Sequence, residues 1–315
     1  MRAINIKSMH ESNISLILNI IRTSDGISRY EISKITRLSP SAVSNVVDLL
    51  IEEGFVSETP GETKNVGRRP MRLSLNNDVH FPVGIEIEND KITGVVINLA
   101  GEMVKQTTKY ISTDMDHNKI LEEVIDVFYL LSQDFSPEQI MGLGIAIPGI
   151  VDSKNGISIL SENLGWRNVA VKEILKTKID VPMFIEQNIR AVTLGELWYG
   201  SGIGKNNLIC VRVGSGVSAG FVINGSIYRG SAGIVGELGH TVVESDGNRC
   251  RCGSQGCLES YVSTQVLISK VLEGLNNRIY SQVSLEGKNR DEQLEEIFSA
   301  GKKGDRFILN IFEEM

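Results

Sequence analysis

One histidine and three cysteines combine the side chains that zinc prefers. They follow one another in the pattern H-x9-C-x-C-x4-C and include three of the four cysteines of the chain. These residues are His240, Cys250, Cys252 and Cys257. One imidazole and three thiolates complete a tetrahedral structural site. The spacing therefore predicts one structural zinc ion per chain, held by a short glycine-containing loop.

Two other interpretations of the cysteines stay open. Disulfides form in secreted chains, and nothing in this sequence marks it as secreted. Free surface cysteines are the second interpretation, and the clustering argues against it. A zinc ion with a full ligand set has no open position for water, so it is expected to brace the loop rather than act as a Lewis acid.

Two carboxylates, Glu237 and Glu259, bracket this loop. A metal that fixes the loop would also fix the direction of both side chains. The ordinary fate of a glutamate is a solvated surface charge, so spacing alone gives them no function.

The composition is that of a globular chain with ample core. A length of 315 residues predicts two or three domains, and 41% of the residues are hydrophobic. No apolar run approaches the roughly 20 residues that span a bilayer, and the first residues lack the apolar core of a signal peptide. We expect a cytoplasmic protein without a membrane segment.

The charge is unevenly distributed. The net charge is −7, but residues 1–80 hold 10 Lys and Arg against 9 Asp and Glu, whereas the remainder holds 22 against 30. Nucleic acid could therefore be held only by the N-terminal part.

Helices are predicted early in the chain. Apolar spacing predicts the first over Ser12–Thr23. Ser28 followed by Glu31 is a capping box for a short second helix, which would turn Ile32 and Ile35 inward.

A third helix follows after a tight turn. Ser39 is its N-cap, Pro40 lies in its first turn, and Gly54 ends it. Two short helices and a longer third predict a helix-turn-helix, whose third helix enters the major groove. The candidate DNA-contacting residues on this helix are small and polar: Ser39, Ser41, Ala42, Ser44 and Asn45.

Two strands, Phe55–Glu58 and Met71–Leu75, predict a wing behind this helix. Arg68 and Arg69 lie near its tip, where they could contact phosphates or the minor groove. The alternative is a small helical protein–protein module. A linker is predicted over Asn76–Asp78.

Beyond the linker, strands alternate with helices and predict an α/β body. Three strands form an antiparallel meander over Phe81–Glu88, Ile92–Leu99 and Met103–Ile111. Asn224-Gly225 predicts a hairpin turn. The other predicted strands are Ile140–Ile147, Met183–Glu186, Leu208–Val213 and Gly220–Ile223. The predicted helices are His117–Ser132, Val171–Lys178, Ala191–Tyr199 with Trp198 on its apolar side, Glu259–Leu275, Arg290–Ala300 and Asp305–Glu314.

Three motifs carry a resemblance to a known family. They are GELGH at Gly236–His240, C-x-C-G-x-x-G-C-L-E at Cys250–Glu259, and VGRRP at Val66–Pro70. Together with the helix-turn-helix they resemble the repressor branch of the ROK family, which includes xylose- and N-acetylglucosamine-responsive regulators. The resemblance covers nearly the whole chain. It implies a winged helix-turn-helix followed by a two-lobed α/β body of the actin-like ATPase and sugar-kinase fold, with a sugar between the lobes.

The resemblance also implies domain boundaries and sugar ligands. The domains would be residues 1–78, 79–200 and 201–315. His240 would bind zinc with one ring nitrogen and leave the other for the sugar. The implied sugar-binding residues are Asn163, Gln187, Asn188, Glu237, His240 and Glu259.

The sequence departs from the kinases of the family at two places. Gly84–Asp90 stands where they have the phosphate loop D-x-G-G-T, and Glu86 and Glu88 would repel phosphate. Asn188 stands where they have an Asp that acts as general base, and an amide cannot accept a proton near neutral pH. Gly214-Ser215-Gly216 keeps part of a second phosphate loop and could serve only as a turn. We expect no kinase activity.

The sequence thus predicts a sugar-responsive repressor that binds a palindromic operator as a homodimer. A sugar would act by favouring one lobe arrangement. Two alternatives are an ATP-dependent sugar kinase, and a DNA-binding repressor with a vestigial sugar site under the control of a partner protein. The chain ends before the second lobe of the family is complete, so we expect a C-terminal truncation.

Overall fold

A computed structural model describes residues 6–61, 71–231 and 233–315 of the protein. Its helices are α1 Ile6–Arg22, α2 Arg29–Thr36, α3 Pro40–Glu52, α4 His117–Ser132, α5 Val171–Lys176, α6 Asn188–Tyr199, α7 Glu259–Val262, α8 Thr264–Asn276, α9 Arg290–Lys302 and α10 Arg306–Glu314. Its strands are β1 Val56–Pro60, β2 Met71–Leu75, β3 Phe81–Ile87, β4 Lys91–Ile97, β5 Met103–Tyr110, β6 Ile140–Ile147, β7 Ile150–Asp152, β8 Ile157–Ser161, β9 Trp166–Val169, β10 Met183–Gln187, β11 Leu208–Val213, β12 Val217–Ile223 and β13 Ser226–Ile227.

The chain forms two compact units. The first runs to Ile145 and includes Val171–Phe184, and the second comprises Ala146–Ala170 and Ile185–Met315. The predicted boundaries after residues 78 and 200 stay a prediction. Within the described residues, no helix combines the length and the apolar character that a membrane crossing requires.

Helices α2 and α3 begin at the predicted caps. The backbone N–H of Ser28 donates to Glu31 Oε2 over 2.8 Å, and the Ser28 hydroxyl accepts from the Glu31 N–H, which completes the capping box. Ser39 accepts from the N–H of Ala42 over 3.2 Å, and Pro40 occupies the first turn. Both bonds satisfy donors that a helix start leaves free.

Three helices and the β1–β2 pair share one core. The buried residues of this core are Ile17, Ile21, Ile27, Ile32, Val43, Val46, Val47, Leu50, Val56 and Leu73. The expectation for Ile35 is wrong, because its side chain is 61% exposed. Helix α2 ends at Thr36, and Arg37 leaves it in the left-handed conformation, so only Ile32 of the two isoleucines reaches the core.

Ion pairs fasten β1 and β2 to the helices. Arg29 at the start of α2 donates to Asp48 of α3 over 2.6 Å and to both carboxylate oxygens of Glu58 in β1 over 3.0 Å. Arg72 of β2 pairs with Glu31 of α2 over 3.1 Å. The strands are therefore oriented relative to α3 by charge-assisted bonds.

The predicted linker is held to its neighbours. The amide of Asn76 donates to the carbonyl of Gly54 over 2.8 Å. The side chain of Asn98, which is 3% exposed, donates to Asp78 over 3.0 Å. These bonds tie the three-helix segment to the sheet that follows it.

A five-stranded sheet dominates the first unit. Its order is β10-β6-β3-β4-β5, and β3, β4 and β5 form the predicted antiparallel meander. Helix α4 packs on this sheet, where a Cβ at Gly94 would overlap Val127 and Leu131. The glycine is therefore needed for the close approach of α4.

Two three-stranded sheets, β7-β8-β9 and β11-β12-β13, lie in the second unit. Asn224 and Gly225 turn β12 into β13 with φ values of 52° and 75°, which confirms the predicted hairpin turn. Trp198 of α6 is 48% exposed, so its predicted apolar placement is wrong.

The helices at the end of the chain pack on one another. The predicted helix Glu259–Leu275 is two helices, because Ser263 ends α7 and its hydroxyl caps α8 through the N–H of Val266. The buried residues of this helical core are Leu267, Val271, Val283, Leu285, Ile297, Ala300, Ile308 and Ile311.

Candidate functional site

One histidine and three cysteines meet in the second unit. The ligand atoms of His240, Cys250, Cys252 and Cys257 all lie within 4.8 Å of one another. His240 Nδ1 is 3.6 Å from Cys250 Sγ, and Cys252 Sγ is 3.8 Å from Cys257 Sγ. The predicted grouping of these four residues is confirmed.

The two distances fit a tetrahedral zinc centre. Zinc lies about 2.3 Å from a thiolate sulfur and about 2.0 Å from an imidazole nitrogen, so tetrahedral geometry requires about 3.8 Å between sulfurs and about 3.6 Å between sulfur and nitrogen. The side chains therefore stand at separations at which one ion could contact all four.

The thiols also need a cation to ionise together. Burial, with the neighbouring thiols, raises the pKa of Cys257 to about 12. Burial opposes ionisation of Cys252 as well, but the N–H of Ser254 and the hydrogen bonds of nearby side chains lower its pKa to about 7. Three adjacent thiolates would repel one another, and a divalent cation would remove this repulsion.

The loop around the four ligands is closed by its own backbone. The N–H of Cys250 donates to the Ser254 carbonyl over 2.8 Å. Tyr261 donates to Glu244 over 2.6 Å and accepts from the N–H of Asn248 over 2.9 Å. Gly256 has φ 72°, and a Cβ there would overlap the Glu244 carbonyl, so this position requires glycine.

A polar group adjoins the metal ligands. Gln187 Nε2 donates to Glu237 Oε1 over 3.0 Å, and Glu237 Oε2 lies 3.9 Å from His240 Nε2. His240 thus turns Nδ1 toward Cys250 and Nε2 toward the carboxylate. Gln187 is 3% exposed, and its Oε1 has no hydrogen-bond partner among the described residues.

Glu259 lies close to the backbone of Val217 and of Gly239, the residue before His240. Its Oε2 accepts from the N–H of Val217 over 3.1 Å, and its Oε1 lies 3.4 Å from Arg251 Nη2. A Cβ placed on Gly239 would lie 3.2 Å from the Cβ of Glu259. Four of the implied sugar-binding residues, Gln187, Glu237, His240 and Glu259, are therefore neighbours.

The two implied sugar-binding asparagines, Asn163 and Asn188, have no hydrogen bond to this group among the described residues. Asn188 begins α6 next to Gln187, and its Oδ1 accepts from the N–H of Ile189 over 2.8 Å. Asn163 is half-buried between β8 and β9, and no hydrogen bond in the described ranges joins it to the other implied ligands.

The implied sugar site adjoins a charged network that sequence reasoning missed. Glu186 Oε1 accepts from Ser153 over 2.7 Å and from Arg190 over 3.0 Å, and its Oε2 accepts from Arg229 over 2.7 Å. Arg190 is 2% exposed and also donates to the Gly233 carbonyl. The i,i+4 pairing rule for helices gives no signal for this pair, because Glu186 lies in β10 and α6 begins only at Asn188.

These bonds shift the ionisation of the network. Burial alone would raise the pKa of Glu186, but hydrogen bonds from Ser153, Arg229 and the N–H of Gln187 hold it below its usual range. Glu186 is therefore ionised at neutral pH and anchors the segment that carries Gln187.

Both stretches that the resemblance matches to kinase phosphate loops have other contacts. Gly84–Asp90 forms the end of β3 and the turn to β4, where Glu88 pairs with Lys91 over 3.4 Å. In the second stretch, the N–H of Gly214 donates to the Gly216 carbonyl over 2.8 Å.

Most of the candidate DNA-contacting residues lie at the start of α3. Ser39, Ser41 and Asn45 are exposed, whereas Ala42 and Ser44 are half-buried. Arg68 and Arg69 lie outside the described residues.

A profile of the ROK family matches residues 82–315, which is most of the chain. The chain belongs to the ROK family. Its relatives include the xylose repressor of Caldicellulosiruptor bescii, 34% identical over 98% of this chain and 78% of the relative. The Bacillus subtilis xylose repressor is 33% identical over 82% of this chain and 67% of its own length. The N-acetylglucosamine repressor of Escherichia coli O157:H7 is 25% identical over 98% of this chain and 75% of its own length.

Two solved ROK-family structures share the fold. A transcriptional regulator described as a homolog of the E. coli MLC protein has a TM-score of 0.77 at 24% identity and covers 96% of this chain and 76% of that chain. A glucokinase from Streptomyces griseus, solved with glucose and AMPPNP, has a TM-score of 0.66 at 26% identity. The match covers 74% of this chain and 75% of the glucokinase chain. The predicted actin-like, sugar-kinase-type fold is thereby confirmed.

Proposed function

We propose that this ROK-family protein is a transcriptional repressor that binds operator DNA and responds to a sugar. The observation that carries the proposal is the extent of the similarity. Relatives named repressors align with 98% of the chain, and the regulator structure covers 96%, whereas the glucokinase structure covers 74%. The N-terminal segment is thus shared with regulators.

Operator DNA is bound by this N-terminal segment as a winged helix-turn-helix. Helix α3 enters the major groove with Ser41 and Asn45 toward the bases, and Arg68 and Arg69 contact the backbone or minor groove. The capped start of α3 and the ion pairs of Arg29 support a fixed angle between helix and wing. Two copies bind a palindromic operator as a homodimer.

The sugar is bound by the group around Glu237. The amide oxygen of Gln187, which has no hydrogen-bond partner among the described residues, and the carboxylate of Glu237 match the donors of neighbouring hydroxyls. Nε2 of His240 adds a further polar contact. Asn163, Asn188 and Glu259 complete the proposed set. The names of the relatives make D-xylose and N-acetylglucosamine the first sugars to test.

Zinc is the proposed ion of the histidine–cysteine group. It takes all four protein ligands, so its role is structural. When bound, it orients His240 and thereby the nitrogen that faces Glu237.

The protein is proposed not to phosphorylate its sugar. Asn188 offers no base, and its Oδ1 is already bonded to a backbone N–H. Glu86 and Glu88 place negative charge where a kinase would hold phosphate. A repressor with a vestigial sugar site is the second candidate, and the grouping of Gln187, Glu237, His240 and Glu259 favours a working site instead. Because it acts on DNA, we place the protein in the cytoplasm.

Thermal unfolding against a panel of pentoses, hexoses and N-acetylated hexosamines tests sugar binding. A ligand at 100 times its Kd adds about 2.7 kcal/mol of stability. One sugar should raise the melting temperature, and ADP release with that sugar and Mg-ATP should stay at background. Sugar-dependent ADP release would favour the kinase, and a flat panel from a folded protein would favour the vestigial site.

A further inference from the structure

The turn Gly214–Gly216 is closed by one hydrogen bond of its own and by a second from another part of the same unit. Its first N–H donates to the carbonyl of Gly216 over 2.8 Å, and the carbonyl of Gly214 accepts from the N–H of Thr264 over 2.8 Å. A phosphate-binding turn instead presents its N–H groups to the ligand. The contacts of this turn are therefore those of a structural element.

The carboxylate of Glu259 lies against the end of the turn, next to Gly216 and Val217. Glu259 Oε2 accepts from the N–H of Val217 over 3.1 Å, and the side chain is 13% exposed. A Cβ placed on Gly216 would lie 2.7 Å from the same oxygen, so a larger residue at 216 would displace the carboxylate. A negative charge at this place also disfavours a phosphate.

The guanidinium of Arg251 joins this carboxylate to the metal loop. Arg251 stands between the ligands Cys250 and Cys252. Its Nη2 donates to the Ser215 carbonyl over 3.0 Å and lies 3.4 Å from Glu259 Oε1. An ion bound by Cys250 and Cys252 would fix the position of the Arg251 backbone between them.

We propose that Arg251 is a positioning residue through which the metal loop holds Glu259 in place and keeps the Gly214–Gly216 turn closed. The turn is then a support for a sugar-site carboxylate and not a nucleotide site. The metal acts on the site at two points, directly through His240 and indirectly through Arg251. This inference rests on the proposed zinc centre.

The consequence is a specific pattern of protection from amide hydrogen exchange. In the zinc-loaded protein, the peptide that contains the Val217 N–H should be protected, and removal of zinc with a chelator should speed its exchange about tenfold or more. Arg251→Ala should show the fast exchange while it still holds zinc. Arg249→Ala removes an exposed arginine two positions away and should behave like the parent.

Zinc content is measured on each sample, which separates this inference from the proposed function. Absence of zinc from the parent protein would refute the metal centre. Slow exchange at the Val217 N–H in a zinc-loaded Arg251→Ala protein, equal to that of the parent, would overturn the role of Arg251. If Arg251→Ala loses zinc or unfolds, Glu259→Gln provides the same test, because it weakens the contact with Arg251 and leaves the four metal ligands in place. Unchanged protection in a zinc-loaded Glu259→Gln protein would overturn the inference in the same way.

Discussion

Gln187 donates a hydrogen bond from Nε2 to Oε1 of Glu237 over 3.0 Å, and it thereby joins two segments that lie 50 positions apart in the chain. Gln187 is 3% exposed, so its amide is held in one orientation. The donor faces the carboxylate, and the acceptor oxygen is buried without a hydrogen-bond partner among the described residues. The pair therefore determines which polar atoms a sugar would meet.

Replacement of this donor by an acid should weaken sugar binding. Gln187→Glu removes the N–H from which Glu237 accepts and places two carboxylates side by side. Sugar affinity at pH 7.5 should fall about tenfold or more, since unpaired polar groups at such a site cost on the order of 1–3 kcal/mol.

Calorimetric titration with the sugar found by the unfolding panel measures this effect. Gln265→Glu is the matched control, because Gln265 is exposed on α8 of the same unit. The same affinity in Gln187→Glu and the parent at pH 7.5 would show that the sugar does not depend on this pair.

The metal centre predicts a difference between two cysteine-to-serine variants. Cys252→Ser removes one of four ligands, so zinc and the sugar-induced rise in melting temperature should both be lost. Cys210→Ser changes the half-buried cysteine that lies outside the cluster, in β11, and should keep one zinc ion per chain. Elemental analysis after dialysis gives the result, and full zinc in Cys252→Ser would refute the ligand assignment.

The sequence predicted those features that depend on neighbours in the chain. The capping box of Ser28 and Glu31, the cap at Ser39 and the turn at Asn224-Gly225 all involve residues within three positions of one another. The metal ligands also fall in one short segment. Each such feature follows from local geometry and residue chemistry.

Features that depend on tertiary packing were missed. Ile35 and Trp198 have the spacing of core residues, but both are exposed. The network of Glu186 with Arg229 and the contact of Arg251 with Ser215 join residues 36 or more positions apart. Spacing in one chain does not reveal such pairs without the fold.

The buried ion network predicts a pH-dependent contribution to stability. Because the pKa of Glu186 is lowered in the folded protein, its contribution is present above the unfolded value of about 4.3 and is lost as pH falls through the folded pKa. Glu186→Gln should lower the free energy of unfolding at pH 7 by about 3 kcal/mol. The difference between variant and parent should shrink below about pH 4.3.

Urea unfolding of parent and variant at several pH values measures the difference. Glu295→Gln on the exposed side of α9 is the control and should have little effect. A loss in Glu186→Gln that stays constant down to pH 3.5 would mean that the charge of Glu186 does not stabilise the fold.

The proposed DNA contact of α3 predicts a loss of affinity without a loss of stability. Asn45 is exposed, so Asn45→Ala should leave the melting temperature near that of the parent. Operator affinity should fall about tenfold, since a specific base contact contributes about 1–3 kcal/mol. Asn118→Ala, at an exposed position of α4, is the control. Equal affinity of Asn45→Ala and parent for a selected operator would remove Asn45 from the interface.

The most direct measurement is the affinity of the zinc-loaded full chain for a duplex selected from a random DNA library, with and without each sugar of the panel. We expect one sugar to change the Kd for this duplex by about 5- to 150-fold, which corresponds to a coupling free energy of about 1–3 kcal/mol. The same sugar should be needed at about ten times the concentration or more to change the DNA affinity of Gln187→Glu at pH 7.5. Tight DNA binding that no sugar alters would contradict the claim that this repressor responds to a sugar.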